Sequence, residues 1–451
     1  MLKNNIFIYF SLLALLFFSC ATKPEAYKDI DQAVDKDEFD TAVETLRKGQ
    51  SKKRPLYPEK NAISLYIDKG LLEHYAGNYA RSSRDLQEAE RLIQEAFTKS
   101  VTADIASYIT NDNTKEYPGE DFEDIYINVF NALNYYNRGN IDGALVEIRK
   151  LTTPSGKLDM LSRKYENVRQ GAGRGAAETL GGFGVSMNDA MPQGKAVNFS
   201  NSALARYLSA LFYLSDGNTD GARIEFEQLH EAFASNTKVY YHPVPNPVMD
   251  IQTVPSEKAR LNIIGFAGLS PIKEEGYFPA FFPFTYSILR QPIFKLPKLI
   301  KRPSAIDRIE VVVEGEGKFD LELLEDMGAV IEETYNAHFA NLFFKTYIRL
   351  LTKYAAVDIA ANMAREQSGE LAGLTAAIAG KVAADATEGA DIRMSRYIPD
   401  KAYIGGVNLD PGTYNIAVYY YSGGAVAAKD ERRGVAVRAD APNLIETISL
   451  K

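Results

Sequence analysis

Between Tyr66 and Leu151, small and aromatic residues recur at intervals that suit little besides pairs of short antiparallel helices. Tyr66, Gly70, Gly77, Tyr79, Ser82, Leu86 and Ala89 set out one pair. Small residues let the two helices touch, Gly77-Asn78 turns the chain, and Tyr79 and Leu86 fill the space between. Tyr135, Gly139, Ile141, Ala144, Ile148 and Leu151 fall at the corresponding places of a second pair. A hairpin of this kind buries only one face, so it requires neighbours.

Two further stretches keep the same ruler. Phe39, Ala42 and Leu46 fit the second helix of a hairpin within Ala26–Gly49, and Arg206, Ala210, Tyr213, Gly217, Ala222, Phe226 and Leu229 fit a fourth. Aligning the turns makes Phe39, Tyr79, Ile141 and Thr219 equivalent, at separations of 40, 62 and 78 residues. The pattern resembles tetratricopeptide repeats over residues 26–235, with Tyr66 once standing where the consensus has tryptophan. The separations exceed that repeat's period of about 34 residues, so insertions interrupt the array. The resemblance implies an α-solenoid whose concave surface receives a peptide or partner helix. The largest insertion, 152–202, contains Gly171-Ala-Gly-Arg-Gly175 and Gly181-Gly-Phe-Gly184, and Gly194-Lys195 is followed by alanine. Without a Lys-Ser/Thr step it reads as a long glycine-rich loop and not a phosphate cradle.

At the N-terminus, Lys3 precedes a 13-residue apolar run from Ile6 to Phe18, then Ser19-Cys20-Ala21. The run is too short to span a bilayer comfortably. This resembles a bacterial lipoprotein signal peptide over residues 1–19, which implies cleavage after Ser19 and lipidation of Cys20. Cys20 is the chain's single cysteine, so neither an internal disulfide nor a cysteine metal site is available. Removing 1–19 takes away only Lys3, which leaves the mature chain slightly more acidic than the formal −8 of the whole. That balance argues against a nucleic-acid partner. Lipidation implies palmitate or a similar acyl group and a membrane tether in the bacterial cell envelope, facing the periplasm from the outer membrane.

The remaining chain, 241–451, reads as a mixed domain, so the expected fold class is α+β. Ten prolines between Tyr240 and Pro303 rule out continuous helix, and Leu261–Phe266 and Ile309–Val313 look like strands. The aromatic run Tyr277–Tyr286 is expected to be a buried strand. A three- and four-residue stripe from Leu324 to Tyr354 predicts a long helix over 323–365. Residues 368–389 are rich in alanine and glycine, with Gly369 and Gly373 in a G-x-x-x-G step that favours close helix packing. Residues 403–451 predict a small antiparallel sheet or sandwich, with turns at Pro411-Gly412 and Gly423-Gly424.

Several local strings, taken together, resemble a family of uncharacterised bacterial lipoproteins with tetratricopeptide-like helices. They are Tyr117-Pro-Gly-Glu-Asp-Phe-Glu123, Ala203-Leu-Ala-Arg-Tyr-Leu-Ser-Ala-Leu211, Arg302-Pro-Ser-Ala-Ile306, Ala390-Asp-Ile-Arg393 and Asp410-Pro-Gly-Thr-Tyr414. Ser395-Arg396-Tyr397 stands where members of that family commonly carry a tryptophan. The resemblance implies an architecture and a compartment and no reaction.

No catalytic motif appears in its proper context, and none of the four histidines, His74, His230, His242 and His338, lies three or four residues from another. The acidic run Glu120–Glu123 lacks the ligand alternation of a calcium loop and reads as the first turn of a helix. No metal and no cofactor are expected, and the chain is read as a non-enzyme. Three functions compete: a lipid-tethered adaptor holding a protein partner in its helical array, a structural subunit of an envelope or secretion complex, and a glycan-active or metal-dependent hydrolase. An inner surface rich in Asn128, Asn131, Asn134 and Tyr135 would favour peptide capture. An apolar sheet edge near Tyr419 would favour assembly, and a pocket gathering two perturbed carboxylates is what a hydrolase requires.

Overall fold

Asparagine and serine set where several helices begin. The side chains of Asn140, Ser202 and Asn218 accept hydrogen bonds from Gly143 N, Ala205 N and Gly221 N at 2.8–3.1 Å, satisfying first-turn donors that the helix itself leaves open. The computed structural model describes residues 24–101, 115–153, 156–171, 199, 201–282, 284–439 and 441–451. The signal segment 1–19, Cys20 and much of the 152–202 insertion lie outside the described residues.

Four helical hairpins are formed by α1 (Lys28–Asp35) and α2 (Phe39–Gln50), α3 (Ala62–Tyr75) and α4 (Tyr79–Val101), α5 (Asp121–Asn137) and α6 (Ile141–Thr152), and, after α7 (Lys157–Gly171), α8 (Ala203–Ser215) and α9 (Thr219–Ser235). Phe39, Tyr79, Ile141 and Thr219 each open the second helix of a hairpin. Within the first three junctions, the second helix of one hairpin packs on the first helix of the next. Part of the 152–202 insertion is thus the helix α7, whose buried Leu158 and Leu161 carry no glycine signal.

A short helix, α10 (Asn246–Asp250), leads into the sheets. The strands are β1 (Ala259–Leu269), β2 (Ile272–Phe278), β3 (Phe294–Ile300), β4 (Arg308–Val313), β5 (Gly317–Asp320) and β6 (Glu322–Asp326), then β7 (Pro399–Leu409), β8 (Gly412–Ser422), β9 (Ala425–Val437) and β10 (Leu444–Ser449). One sheet has the order β10-β1-β7-β6, with β10 parallel to β1; a second has the order β5-β4-β8-β9; β2 and β3 pair as a ribbon. The strands expected over 403–451 as a small antiparallel sheet or sandwich belong to two four-stranded sheets packed on each other, which draw half their strands from 259–326. The outer strand β9 escapes the apolar pattern because Lys429–Arg433 is charged, as suits a strand with one free edge.

Strand alternation explains the layering. On β1, Ile264 and Phe266 point into the helices, while Leu261, Ile263 and Ala267 point into the second sheet, and all are buried. The first sheet is thus a middle layer, with hairpins on one face and the second sheet on the other. One buried cluster runs from Ile63 through Phe130 and Leu208 to Phe266 and Ile404, so the 20–240 and 241–451 segments share a core.

Between β6 and β7 lies a long hairpin of α11 (Met327–Ser368) and α12 (Glu370–Ala386). The helix expected over 323–365 starts later because residues 322–326 pair with β7, and Asp326 then caps the helix through Ala329 N at 2.8 Å. It ends at Gly369, whose φ of 88° leaves the helical region. Of the aromatic run, only Tyr277 and Phe278 belong to a strand; Phe282 is buried against Tyr347 and Tyr354 of α11, and Tyr277 and Phe281 are exposed.

Candidate functional site

The first helices of the hairpins, α1, α3, α5 and α8, carry polar side chains on the face that meets the rest of the chain. That face is filled. Residues 390–398 run from the end of α12 into β7 across it, held by a carboxylate from each of three hairpins. Asp31 of α1 accepts from Arg396 Nη2 at 2.8 Å and from the Tyr397 hydroxyl at 2.9 Å. Asp68 of α3, fully buried, accepts from Ser395 Oγ and Arg396 N at 2.7 Å and from the Tyr57 hydroxyl. Glu123 of α5 accepts from Ser395 N and from the Tyr117 hydroxyl. Arg393 lies over the Tyr117 ring and donates to Lys115 O and Asp391, and the Tyr75 hydroxyl donates to Tyr397 O.

Farther along, the same helix face grips the middle sheet. The buried carboxylate of Glu325 on β6 accepts from the hydroxyls of Tyr126, Tyr240 and Ser202 and from Leu204 N, at 2.7–3.2 Å. It is turned toward the helices by a bulge between Leu323 and Glu325. At the opposite edge of the same sheet, Glu446 of β10 meets His74 Nε2, while His74 Nδ1 meets Asn134 Oδ1 at 2.8 Å and Asn137 donates to Glu446 at 3.0 Å.

Burial dominates the electrostatics of this interface. It pushes the Glu123 carboxyl up to about 8, with the Glu120 charge adding to the effect and three hydrogen-bond donors opposing it. Burial likewise raises Asp68 and Glu325 above the ordinary carboxylate range. For His74 burial disfavours the imidazolium, but Glu446 outweighs it and holds the pKa above 6.5.

The glycines and aromatics singled out in the hairpins divide into two roles. A Cβ on Gly70 would stand 2.6 Å from the Leu86 side chain, so α3 and α4 approach closely there. Gly77, Gly139 and Gly217 have no atom within reach of a Cβ, and each has a φ near +75°. Their role is the turn, as read for Gly77-Asn78, and none of the three adds a packing contact between the helices. Asp37 takes the same left-handed place in the first hairpin, its carboxylate bonded to Ser449 Oγ and Leu450 N. Tyr79 packs edge-on to His74, Tyr66 lies against the core, and Leu86, Ala144, Tyr213 and Ala222 are buried. Tyr135 accepts from Gln87 at the surface.

The expected groove residues lie elsewhere. Asn128 is buried against Glu90 and Glu147, Asn134 against His74 and Ser82, and Asn131 is fully buried, so all three belong to contacts within the structure and not to an open groove. Tyr419 is on β8, inside its sheet; the outer strand β9 presents Lys429-Asp-Glu-Arg-Arg433, so the edge near it is charged and not the apolar one that would favour assembly. The acidic run at α5 is paired: Glu120 with Lys273, Asp121 with Lys164 and His338, Asp124 with Lys157. Asp400 is raised to about 6 by burial and then by Asp326, and Asp326 is committed to capping α11. Among the described residues, an open cleft of about 520 Å³ beside α1 is lined by Glu25, Asp31, Arg302 and Lys451, and Arg302 in it is tied to Ser270 O and Arg396 O.

The α11–α12 hairpin packs on β3 and the aromatic loop along one side and leaves another side uncovered. Among the described residues, six of the sixteen exposed large apolar side chains lie on it: Ile359, Met363, Leu371, Leu374, Ile378 and Val382. Sequence reasoning reached the helices but not this surface, because a stripe of apolar residues does not say which side is covered. The strings Ala390–Arg393 and Ser395–Tyr397 stand out in the sequence, but their place on the helix face and the role of Glu325 do not, because single polar residues leave no period. Comparison of the chain with protein-family models, curated proteins and solved structures finds no match.

Proposed function

We propose that this protein is a lipid-anchored scaffold of the bacterial cell envelope, tethered through acylated Cys20, which docks a protein partner and carries out no catalysis. In this reading the hairpins form a tetratricopeptide-like α-solenoid that has taken the chain's own residues 390–398 and middle sheet in place of an external peptide. The partner surface is then the projecting α11–α12 hairpin. The observation that carries the reading is the concentration of exposed apolar side chains on that hairpin, since a helix apolar on several sides is ordinarily covered. The buried carboxylates along the inner face support it as well, because each is consumed by donors of this same chain.

A photo-crosslinking residue placed at Met363 in native membranes is expected to capture a protein neighbour, whereas one at Val426 on the second sheet is not. Equal capture at both positions, or none at Met363, would overturn the docking assignment. Cys20→Ala is expected to release the chain from the membrane fraction; retention there would refute the tether.

A further inference from the structure

The first hairpin ends in a run of positive charge. Arg47-Lys48-Gly-Gln-Ser-Lys52-Lys53-Arg54 holds five cations and no acid in eight residues, within a chain whose formal charge is −8. Arg47 and Lys48 have local work: they occupy the last turn of α2, where the helix dipole favours cations, and they pair with Glu73 and Glu44. Lys52 and Lys53 follow the helix, are exposed, and make no hydrogen bond or ion pair among the described residues. Arg54, also exposed, adjoins them. Folding alone does not explain the two lysines, since neighbouring like charges repel each other.

Their position does. Helix α2 runs back along α1, so its C-terminal end and the loop after it lie at the end where α1 begins. A ring contact fixes that placement: Tyr27, just before α1, meets Tyr57, just after the loop, edge-on with centroids 5.5 Å apart. Cys20 stands four residues before Pro24, the first described residue, and four residues reach at most about 14 Å. An acyl group on Cys20 therefore keeps this end of the array near the bilayer surface, at a distance comparable with the roughly 8–10 Å over which charge acts at physiological salt.

We infer that Lys52 and Lys53, with Arg54 beside them, form a second membrane contact that binds the headgroups of anionic phospholipid in the leaflet carrying the tether. The inference rests on the acylation of Cys20 proposed above and adds a lipid partner to it. The chain as a whole is acidic and is repelled by such a surface, so the loop also decides which end of the array faces the bilayer. Each lysine near an anionic membrane is worth about a fivefold preference for contact, and high salt removes it.

The test uses the acylated full chain, extracted from membranes and reconstituted into vesicles of phosphatidylcholine, alone or with about one-third phosphatidylglycerol. With Cys20 blocked by its lipid, Ser51→Cys supplies the chain's one free thiol for a fluorophore, read by quenching from spin-labelled headgroups; Val426→Cys on the second sheet is the reference. Stronger quenching at position 51 is expected in the phosphatidylglycerol vesicles, falling to the phosphatidylcholine level in high salt, with no such difference at position 426. Lys52→Glu combined with Lys53→Glu should lower the ratio of quenched to unquenched label at least tenfold, with melting and flotation with the vesicles unchanged. Lys52→Arg combined with Lys53→Arg should keep the full quenching. Equal quenching in the two kinds of vesicle, or a glutamate variant that quenches like the unaltered chain, would overturn the inference, while flotation with both vesicles leaves the tether standing. A chain that floats with neither refutes the tether and this contact with it.

Discussion

Gly70 and Gly77 sit seven residues apart in one hairpin and would fail differently. Adding bulk at Gly70 drives it into Leu86, so Gly70→Leu is expected to cost about 1–3 kcal/mol by overpacking. Gly77→Ala meets open space and strains only the backbone, at about 1 kcal/mol. Chemical denaturation of both variants checks the order; equal losses would contradict the division of roles. Both glycines were legible because a turn and a close contact recur along the chain. Asp37, which does the same work as Gly77, was not, since its left-handed conformation is bound up with contacts 412 residues away. Glu123 offers a second test. Folded, the carboxyl keeps its proton up to about 8, while the unfolded chain loses it near 4.5. The folded protein therefore holds more protons across that window, and this group's stability contribution declines as pH rises through it. His74, whose folded pKa is raised, acts in the same direction, its stabilisation being lost as pH climbs past that value. Melting temperature is expected to fall between pH 6 and pH 9, and less steeply in Glu123→Gln. Identical slopes would rule out Glu123 as a cause.

At the scale of elements, apolar periodicity located the helices well and their ends poorly. The stripe through Leu324 and Met327 crosses a strand–helix boundary without breaking, because both side chains happen to be buried in the same cluster. Asp326 fixes the true start, and Asp326→Ala is expected to cost about 1 kcal/mol of stability in a melting experiment. Of strand β9 only the end from Gly434 is legible in the sequence, for a physical reason: a free edge is kept charged, which is the composition of a loop. Residues 390–398 have no regular structure, so their place rests on side-chain contacts, those of Asp31, Asp68 and Glu123 among them. Asp68→Ala leaves the Tyr57 hydroxyl, Ser395 Oγ and Arg396 N without their acceptor. Trypsin is then expected to cut after Arg393 or Arg396 at least tenfold faster than in the unaltered chain, and an unchanged rate would show that the segment is held by other means.

For the whole molecule, the decisive arrangement is three layers in which the helical array is closed by its own sheet. The hairpins and the α+β composition could be read from spacing, but closure could not, because Glu325, Glu446 and residues 395–397 find their partners 85 to 372 positions away. A partner that used the inner face would have to expel residues 390–398. The direct measurement is to lock that segment in place with Asp68→Cys and Ser395→Cys, whose side chains already touch, and to compare oxidised and reduced protein by crosslinking in native membranes. The oxidised, locked chain is expected to capture the same neighbours as the reduced one. Loss of those neighbours on locking, with recovery on reduction, would contradict the account and return the docking site to the inner face of the hairpins.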